Sequence, residues 1–65
     1  MDNIKTHDEL VEIITNNNEL INTAFTENKG VVLDNIYTVL KADDNTYFIK
    51  YYTQEGIVIN NVINL

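Results

Sequence analysis

Few side chains in this chain have the types and spacing that catalysis requires, and His7 is the first to consider. It is the single histidine among 65 residues, and Asp8 and Glu9 are its neighbours in sequence alone. A general base needs a partner held within hydrogen-bond reach, which adjacency in sequence does not provide. Cysteine is absent, and no base is matched to any threonine hydroxyl. We therefore expect His7 to be an exposed residue in the first turn of a helix, and we expect no enzyme activity.

Three oxygen donors stand in a row at Asp43, Asp44 and Asn45, which raises the question of a calcium loop. Such loops alternate their ligands over about twelve residues and end in a distal Glu. That pattern is missing here, so the triplet predicts a turn. The absence of cysteine also excludes a thiolate zinc site. The sequence thus predicts no metal and no cofactor, and leaves Asp43 and Asp44 as candidate contacts to a partner protein.

Acidity is the main compositional feature. Ten Asp and Glu residues face four Lys and no Arg, giving a net charge of −6. This charge disfavours phosphate backbones and anionic membranes, so we expect neither nucleic acid nor membrane as a direct partner. It suits solubility, or binding to another protein with a basic surface. Asp8, Glu12 and Glu19, on the outer face of a predicted helix, are the candidate contacts, with a solvated helix face as the alternative.

The tyrosines form the second candidate surface. Tyrosine is enriched at interfaces because it combines a large contact area with a hydrogen-bonding tip. Tyr37, Tyr51 and Tyr52 on an exposed sheet face would make a binding or dimer patch. The alternative is that they fill the core and reflect ordinary strand propensity.

An amphipathic helix over about residues 7–27 is the element on which the rest of the chain must pack. One arc of its helical wheel is apolar and contains Leu10, Ile13, Ile14, Leu20, Ile21, Ala24 and Phe25. The phase continues through Asn16-Asn17-Asn18, which favours one helix over two. Thr6 and Glu9 have the spacing of a capping box, and Asn28-Lys29-Gly30 is typical of a helix end. Residues 1–5 are predicted to be a frayed lead-in.

After Gly30 the hydrophobic period changes to two, which predicts strands at about 31–41, 46–53 and 57–64. Asp34-Asn35 interrupts the first of them as a bulge or a break. Short turns favour pairing of sequential strands. The predicted fold is therefore α+β: one N-terminal amphipathic helix packed on one face of a three-stranded antiparallel sheet, in the order α-β-β-β, as a single small domain.

The register of the central hairpin remains open between two alternatives. A four-residue loop pairs Leu40 with Tyr47 and groups on one face Ile36, Leu40, Tyr47, Ile49 and Tyr51. A three-residue loop with a bulge pairs Val39 with Ile49 and groups Tyr37, Val39, Ile49 and Tyr51. In either register one helix covers one face only, so several of the aromatic side chains Tyr37, Phe48, Tyr51 and Tyr52 must lie on the uncovered face.

These observations favour a non-enzymatic, acidic protein-binding module, with a small inhibitor that occupies a basic, nucleic-acid-binding surface of its partner as the specific hypothesis. Phage-encoded anti-CRISPR and anti-restriction proteins share this size and charge, which is an analogy without a shared motif. The alternative is a homodimeric structural or regulatory subunit that assembles through the open sheet face or the last strand, because an apolar edge needs a partner or a cover. We expect a cytoplasmic protein, since no signal-peptide pattern or membrane-length apolar run is present.

Overall fold

A computed structural model describes residues 4–65 of the chain, and its fold is α+β with an antiparallel sheet. Two helices precede four strands: α1 (His7–Asn16), α2 (Asn18–Thr26), β1 (Val31–Leu33), β2 (Tyr37–Lys41), β3 (Thr46–Tyr52) and β4 (Val58–Asn64). The strands form one meander in the order β1-β2-β3-β4. Within residues 4–65, no helix has the length and hydrophobicity needed to cross a bilayer.

The prediction of a single helix is wrong, because the helical segment divides at Asn17. The backbone there has φ −120° and ψ 22°, outside the helical region. The Asn17 side-chain amide donates to the carbonyl of Ile13 at 2.8 Å, and its N–H donates to the carbonyl of Ile14 at 3.2 Å. Both bonds satisfy carbonyls at the end of α1. Asn side chains often compete with the backbone for hydrogen-bond partners in this way. The spacing of apolar residues does not reveal such competition. Beyond the break Leu20, predicted on the apolar arc, is exposed.

Both predicted ends of the helical segment are confirmed. The Thr6 hydroxyl accepts the N–H of Glu9 at 3.2 Å, and the Glu9 carboxylate accepts the N–H of Thr6 at 2.8 Å, which completes the capping box. At the other end Asn28 adopts a left-handed conformation with φ 59°. The following N–H, that of Lys29, donates to the carbonyl of Ala24 at 3.0 Å, as in a Schellman motif.

The sheet has four strands rather than the predicted three, because the segment 31–41 reverses direction in its middle. Asp34 and Asn35 have φ values of 53° and 57°, and the N–H of Ile36 donates to the carbonyl of Leu33 at 2.9 Å. Positive φ at both central positions is the requirement of a type I′ hairpin turn, and Asp and Asn tolerate it. The interruption that was predicted as a bulge or a break is therefore a tight turn.

The central hairpin adopts the second of the two predicted registers. Val39 pairs with Ile49, and the N–H of Ala42 donates to the carbonyl of Thr46 at 2.8 Å, which leaves the three-residue loop 43–45. The next turn contains Gly56 with φ 86°. After it β4 runs without a break and pairs with β3 along its whole length.

The helices cover one face of the sheet and enclose the core with it. The buried residues of this core are Leu10, Ile14, Ile21, Leu33, Tyr37, Val39, Tyr47, Ile49, Tyr51 and Ile63. The rings of Tyr37 and Tyr51 meet edge to face with centroids 5.6 Å apart, and the Tyr51 hydroxyl accepts the N–H of Lys5 at 2.9 Å. Lys5 is thus tied to the sheet. Residues 1–3 of the predicted frayed lead-in lie outside the described residues.

Candidate protein-binding surface

The second face of the sheet has no helix on it. Side chains alternate between the two faces of a strand, so every second residue of β1 to β4 points away from the core. We call this surface the open sheet face. Its residues are the half-buried Thr46 and the exposed Val32, Thr38, Leu40, Phe48, Lys50, Tyr52, Val58, Asn60, Val62 and Asn64. Most of this surface is apolar.

An apolar row crosses the middle of the open sheet face. Leu40 pairs with Phe48, and Phe48 pairs with Val62, so three apolar side chains lie side by side on neighbouring strands. They are 42%, 42% and 57% exposed, respectively. Together with the adjacent Lys50 and Asn60 they line a shallow depression of about 280 Å³. A contiguous exposed apolar patch of this kind marks an interaction surface more often than scattered single residues do.

Charge is distributed unevenly around this surface. Lys50 is the single charged residue of the open sheet face. The acidic residues between positions 4 and 65 lie elsewhere: on the helices or their ends (Asp8, Glu9, Glu12, Glu19 and Glu27) and in the turns between strands (Asp34, Asp43, Asp44 and Glu55). In a meander the turns alternate between the two ends of the sheet. The open sheet face is therefore bordered by acidic turns at both ends of its strands.

The β2–β3 turn holds its acidic groups in a fixed conformation. The Asp43 carboxylate accepts the N–H of Asn45 at 2.9 Å, which closes an Asx-turn. This backbone hydrogen bond, followed by one from the Thr46 side chain, lowers the pKa of Asp43 below its ordinary value. Asp43 and Asp44 are exposed, so both carboxylates are accessible to a partner.

The predicted tyrosine patch is corrected by the structure. Tyr37 and Tyr51 are on the covered face, and Tyr51 is only 2% exposed, so the alternative of core filling applies to both. Tyr52 alone of the three lies on the open sheet face. The physical reason is the register, which places Val39 and Ile49 under the helices and brings Tyr37 and Tyr51 to the same side.

The predicted acidic helix contacts are exposed but do not share one helix. Asp8 and Glu12 are four residues apart on α1 and so lie on one face of it, whereas Glu19 is in the first turn of α2, beyond the break. Glu9 is committed to the capping box. The backbone N–H of Thr6 donates to its carboxylate and lowers the pKa of Glu9 below the ordinary value. His7 is exposed at the start of α1, as predicted.

The cations are mostly engaged in local contacts. Lys41 donates to the Asn22 side chain at 2.6 Å and lies 5.0 Å from the ring centroid of Phe25, where its stem closes one end of the core. Lys29 forms an exposed ion pair with Glu27 at 2.8 Å. The outward surface of the helices therefore remains acidic.

Sequence reasoning missed Leu40, Val58 and Val62 as surface residues, and it named Phe48 only within a group of four aromatic residues of which several were expected on the uncovered face. Each is apolar and has high strand propensity, so each looks like a core residue until the register is known. The signal that could have found them is the pair of turns at 34–35 and 43–45, which together fix the side to which every residue of β2 and β3 points.

Among residues 4–65 no three His, Asp or Glu side chains converge as a metal site would require. A scan against models of protein families finds no match, and searches of curated proteins and of solved structures return none either. The open sheet face, with its apolar row and acidic ends, is accordingly the surface from which a function is argued.

Proposed function

We propose that this protein is a non-enzymatic binding module that docks its open sheet face on another protein. The observation that carries the proposal is the exposed row Leu40–Phe48–Val62, which crosses three strands without an acidic residue. Six apolar side chains on this face, each roughly half exposed, present on the order of 600 Å², against about 800 Å² per partner in a standard interface. A surface of this size supports specific binding.

The partner surface must combine an apolar patch with basic residues at its margins. Interfaces commonly have an apolar centre and a polar rim, and complementary charge at the rim steers association. Here the rim consists of the acidic turns, with Asp43 and Asp44 at one end and Asp34 and Glu55 at the other. A protein with Lys or Arg around an exposed apolar patch, and with a carboxylate or carbonyl oxygen opposite Lys50, complements this arrangement.

A module bound to such a surface would prevent other ligands from binding there. Proteins bind the phosphates of nucleic acids through Lys and Arg, so a module with acidic turns would compete with the phosphates for those residues. The specific form of the proposal is thus a small stoichiometric inhibitor of a nucleic-acid-binding protein, contacted through the open sheet face and its acidic turns. Asp8, Glu12 and Glu19, on the helices behind the sheet, add to the long-range attraction without touching the partner. It is supported by charge and shape alone.

A partner other than a second copy suits the open sheet face better. In a symmetric dimer the same patch serves both subunits, so the face of one copy would meet the same face of the other. That face contains Lys50 near its centre and no acidic residue to pair with it. A buried unpaired ammonium group is costly.

The test compares two sets of substitutions in one binding experiment. Partners recovered on immobilised wild-type protein are purified, and their affinity is measured by calorimetry against Leu40→Thr/Phe48→Thr and against Glu12→Lys/Glu19→Lys. Threonine keeps strand propensity while it removes apolar area. We expect the first variant to lose at least about tenfold in affinity and the second to lose less.

Salt and the turn carboxylates give an independent check. Affinity should fall as salt rises, and Asp43→Asn/Asp44→Asn should reduce that dependence because two rim charges are removed. Circular dichroism confirms that each variant is folded. A partner retained by Leu40→Thr/Phe48→Thr but lost by the Glu12 and Glu19 reversals would reject the open sheet face and favour the helix surface.

A further inference from the structure

We propose that β4 pairs antiparallel with β4 of a second copy of this chain, with the two-fold axis at Asn61. The inference concerns the edge of the sheet, is separate from the open sheet face, and does not depend on the proposed function. It rests on three observations: the backbone groups that point outward, the composition of the strand, and the register in which it complements itself.

The outward backbone groups follow from the hydrogen bonds at the two ends of β4. The N–H of Leu65 donates to the carbonyl of Asn45 at 2.8 Å, and the carbonyl of Ile57 accepts the N–H of Thr53 at 2.9 Å. Both bonds point toward β3. Backbone direction alternates along a strand, so the residues whose N–H and C=O point away from β3 are Val58, Asn60, Val62 and Asn64. Within residues 4–65 no backbone hydrogen bond engages these groups.

The two edges of the sheet differ in how they resist pairing. Natural edge strands are protected by shortness, by charge, by proline or by a bulge. β1 is protected by its length of three residues. β4 has seven residues, no charge and no proline, and its pairing with β3 is continuous without a bulge. Of the two edges, β4 alone is a long and unprotected template for another strand.

Self-pairing of β4 is geometrically consistent in one register that uses the whole strand. When the axis passes through Asn61, Val58 opposes Asn64 of the other copy and Asn60 opposes Val62, so every outward residue meets an outward residue. These become the hydrogen-bonded pairs. Ile59 then opposes Ile63 and Asn61 opposes itself in the non-hydrogen-bonded positions. No pair brings like charges together.

The consequence is one continuous eight-stranded sheet, built from two four-stranded meanders. An axis perpendicular to the sheet places both helix layers on the same side and joins the two open sheet faces into one surface. Ile59, which is half-buried in one chain, gains Ile63 of the other copy beside it. Although each chain is acidic, β4 contributes no charge to the contact, so pairing should persist or strengthen as salt screens the repulsion.

Cysteine crosslinking tests this register directly, because the chain has no native cysteine. Asn61→Cys would place two thiols opposite each other at a Cα separation of about 4.5 Å, within the range that a disulfide accepts. Val58→Cys is the matched control, since the two copies of residue 58 would be about 20 Å apart along the strand. Under mild oxidation we expect covalent dimers from Asn61→Cys and few from Val58→Cys.

Exposure makes this control stringent. Val58 is 44% exposed and Asn61 is half-buried, so random collisions would favour a disulfide at position 58. Equal or greater crosslinking of Val58→Cys would overturn the register.

Charge pairing provides a second test by sedimentation equilibrium over a concentration series. Asn60→Lys/Val62→Lys would oppose lysine to lysine at two symmetric pairs, whereas Asn60→Glu/Val62→Lys would oppose glutamate to lysine. We expect the dimer dissociation constant of the first variant to exceed that of the second by at least about tenfold. Equal dissociation constants, or a wild-type chain that stays monomeric up to millimolar concentration, would overturn the proposal.

The two proposals can fail separately. Leu40→Thr/Phe48→Thr leaves β4 unchanged, so it should impair partner binding and leave the dimer intact. Loss of the dimer in this variant, or dissociation of the dimer as salt rises, would contradict pairing through β4. Neither result would decide whether a partner binds the open sheet face. If the wild-type chain is monomeric and binds an extended peptide, that peptide is the occupant of the β4 edge, and pairing with a second copy is contradicted.

Discussion

The two faces of the same sheet show how differently neighbouring residues of one strand are used. In β3, Ile49 and Tyr51 lie under the helices and are almost fully buried, whereas Phe48 and Tyr52 are about half exposed on the other side. The residue types are similar on both faces. The difference arises because two short helices can cover one face of a sheet and not both.

This comparison indicates which residues of the sheet contribute most to stability. A chain of 65 residues buries only about 60% of its unfolded surface, so its core is small and each core residue matters. Apolar residues on the open sheet face contribute little to that core. The proposed function assigns these exposed apolar residues to contact with another molecule.

The largest expected effect comes from two adjacent alanine substitutions in β3. Ile49→Ala removes a fully buried side chain and should lower the free energy of unfolding by about 2–5 kcal/mol, because a cavity remains. Phe48→Ala removes a half-exposed side chain on the open sheet face and should cost about 1 kcal/mol, near the range of strand propensity. Urea denaturation of the two purified variants measures both values. Similar losses would mean that the open sheet face is covered in solution.

A smaller effect should separate the adjacent tyrosines. Tyr51→Phe removes the hydroxyl that accepts the N–H of Lys5 at 2.9 Å, and should cost about 1 kcal/mol. Tyr52→Phe removes an exposed hydroxyl and should change stability by less than about 0.5 kcal/mol. Thermal unfolding at one protein concentration provides the comparison. A larger loss for Tyr52→Phe would show that its hydroxyl has a partner, such as a second chain.

The smallest effect concerns two exposed carboxylates, that of Glu9 in the capping box and that of Asp43 in the β2–β3 turn. The folded-state pKa of Glu9 is lowered from 4.5 by the hydrogen bond from Thr6, so its contribution to stability is present above the unfolded value and is lost as pH falls through the folded value. The pKa of Asp43 is also lowered, so its contribution to stability is likewise lost as the pH falls. Glu9→Gln keeps a hydrogen-bond acceptor without the titration. We expect its unfolding free energy to fall less steeply than wild type on acidification below about pH 4.5, and equal slopes would contradict this assignment.

Local signals predicted the ends of the helical segment correctly. The capping box at Thr6 and Glu9 and the left-handed residue at Asn28 depend on atoms a few residues apart, so they are readable from the sequence. The break at Asn17 is local as well, but apolar periodicity pointed to a continuous helix. The hydrogen bond from the Asn17 side chain to the Ile13 carbonyl accompanies the break there, although the apolar periodicity continues across it.

The candidate site was less accessible to sequence reasoning. Tyr37 and Tyr51 have the composition of interface residues, yet the register puts them in the core. Leu40 and Phe48 have the composition of core residues, yet the same register exposes them. A shift of one residue exchanges the two faces of a strand, and two loop lengths were compatible with the sequence.

The α+β class, the acidic charge, the outer ends of the helical segment and two of the three turns between strands were predictable from the sequence alone, because they depend on residue types and on spacings of a few residues. Only the folded chain shows which strand residues the helices cover, that the open sheet face is largely apolar, and that no strand among residues 4–65 pairs with the outer side of β4. Those properties arise from pairing between segments distant in the chain, where two registers satisfy the same local preferences and only packing of the whole core selects one.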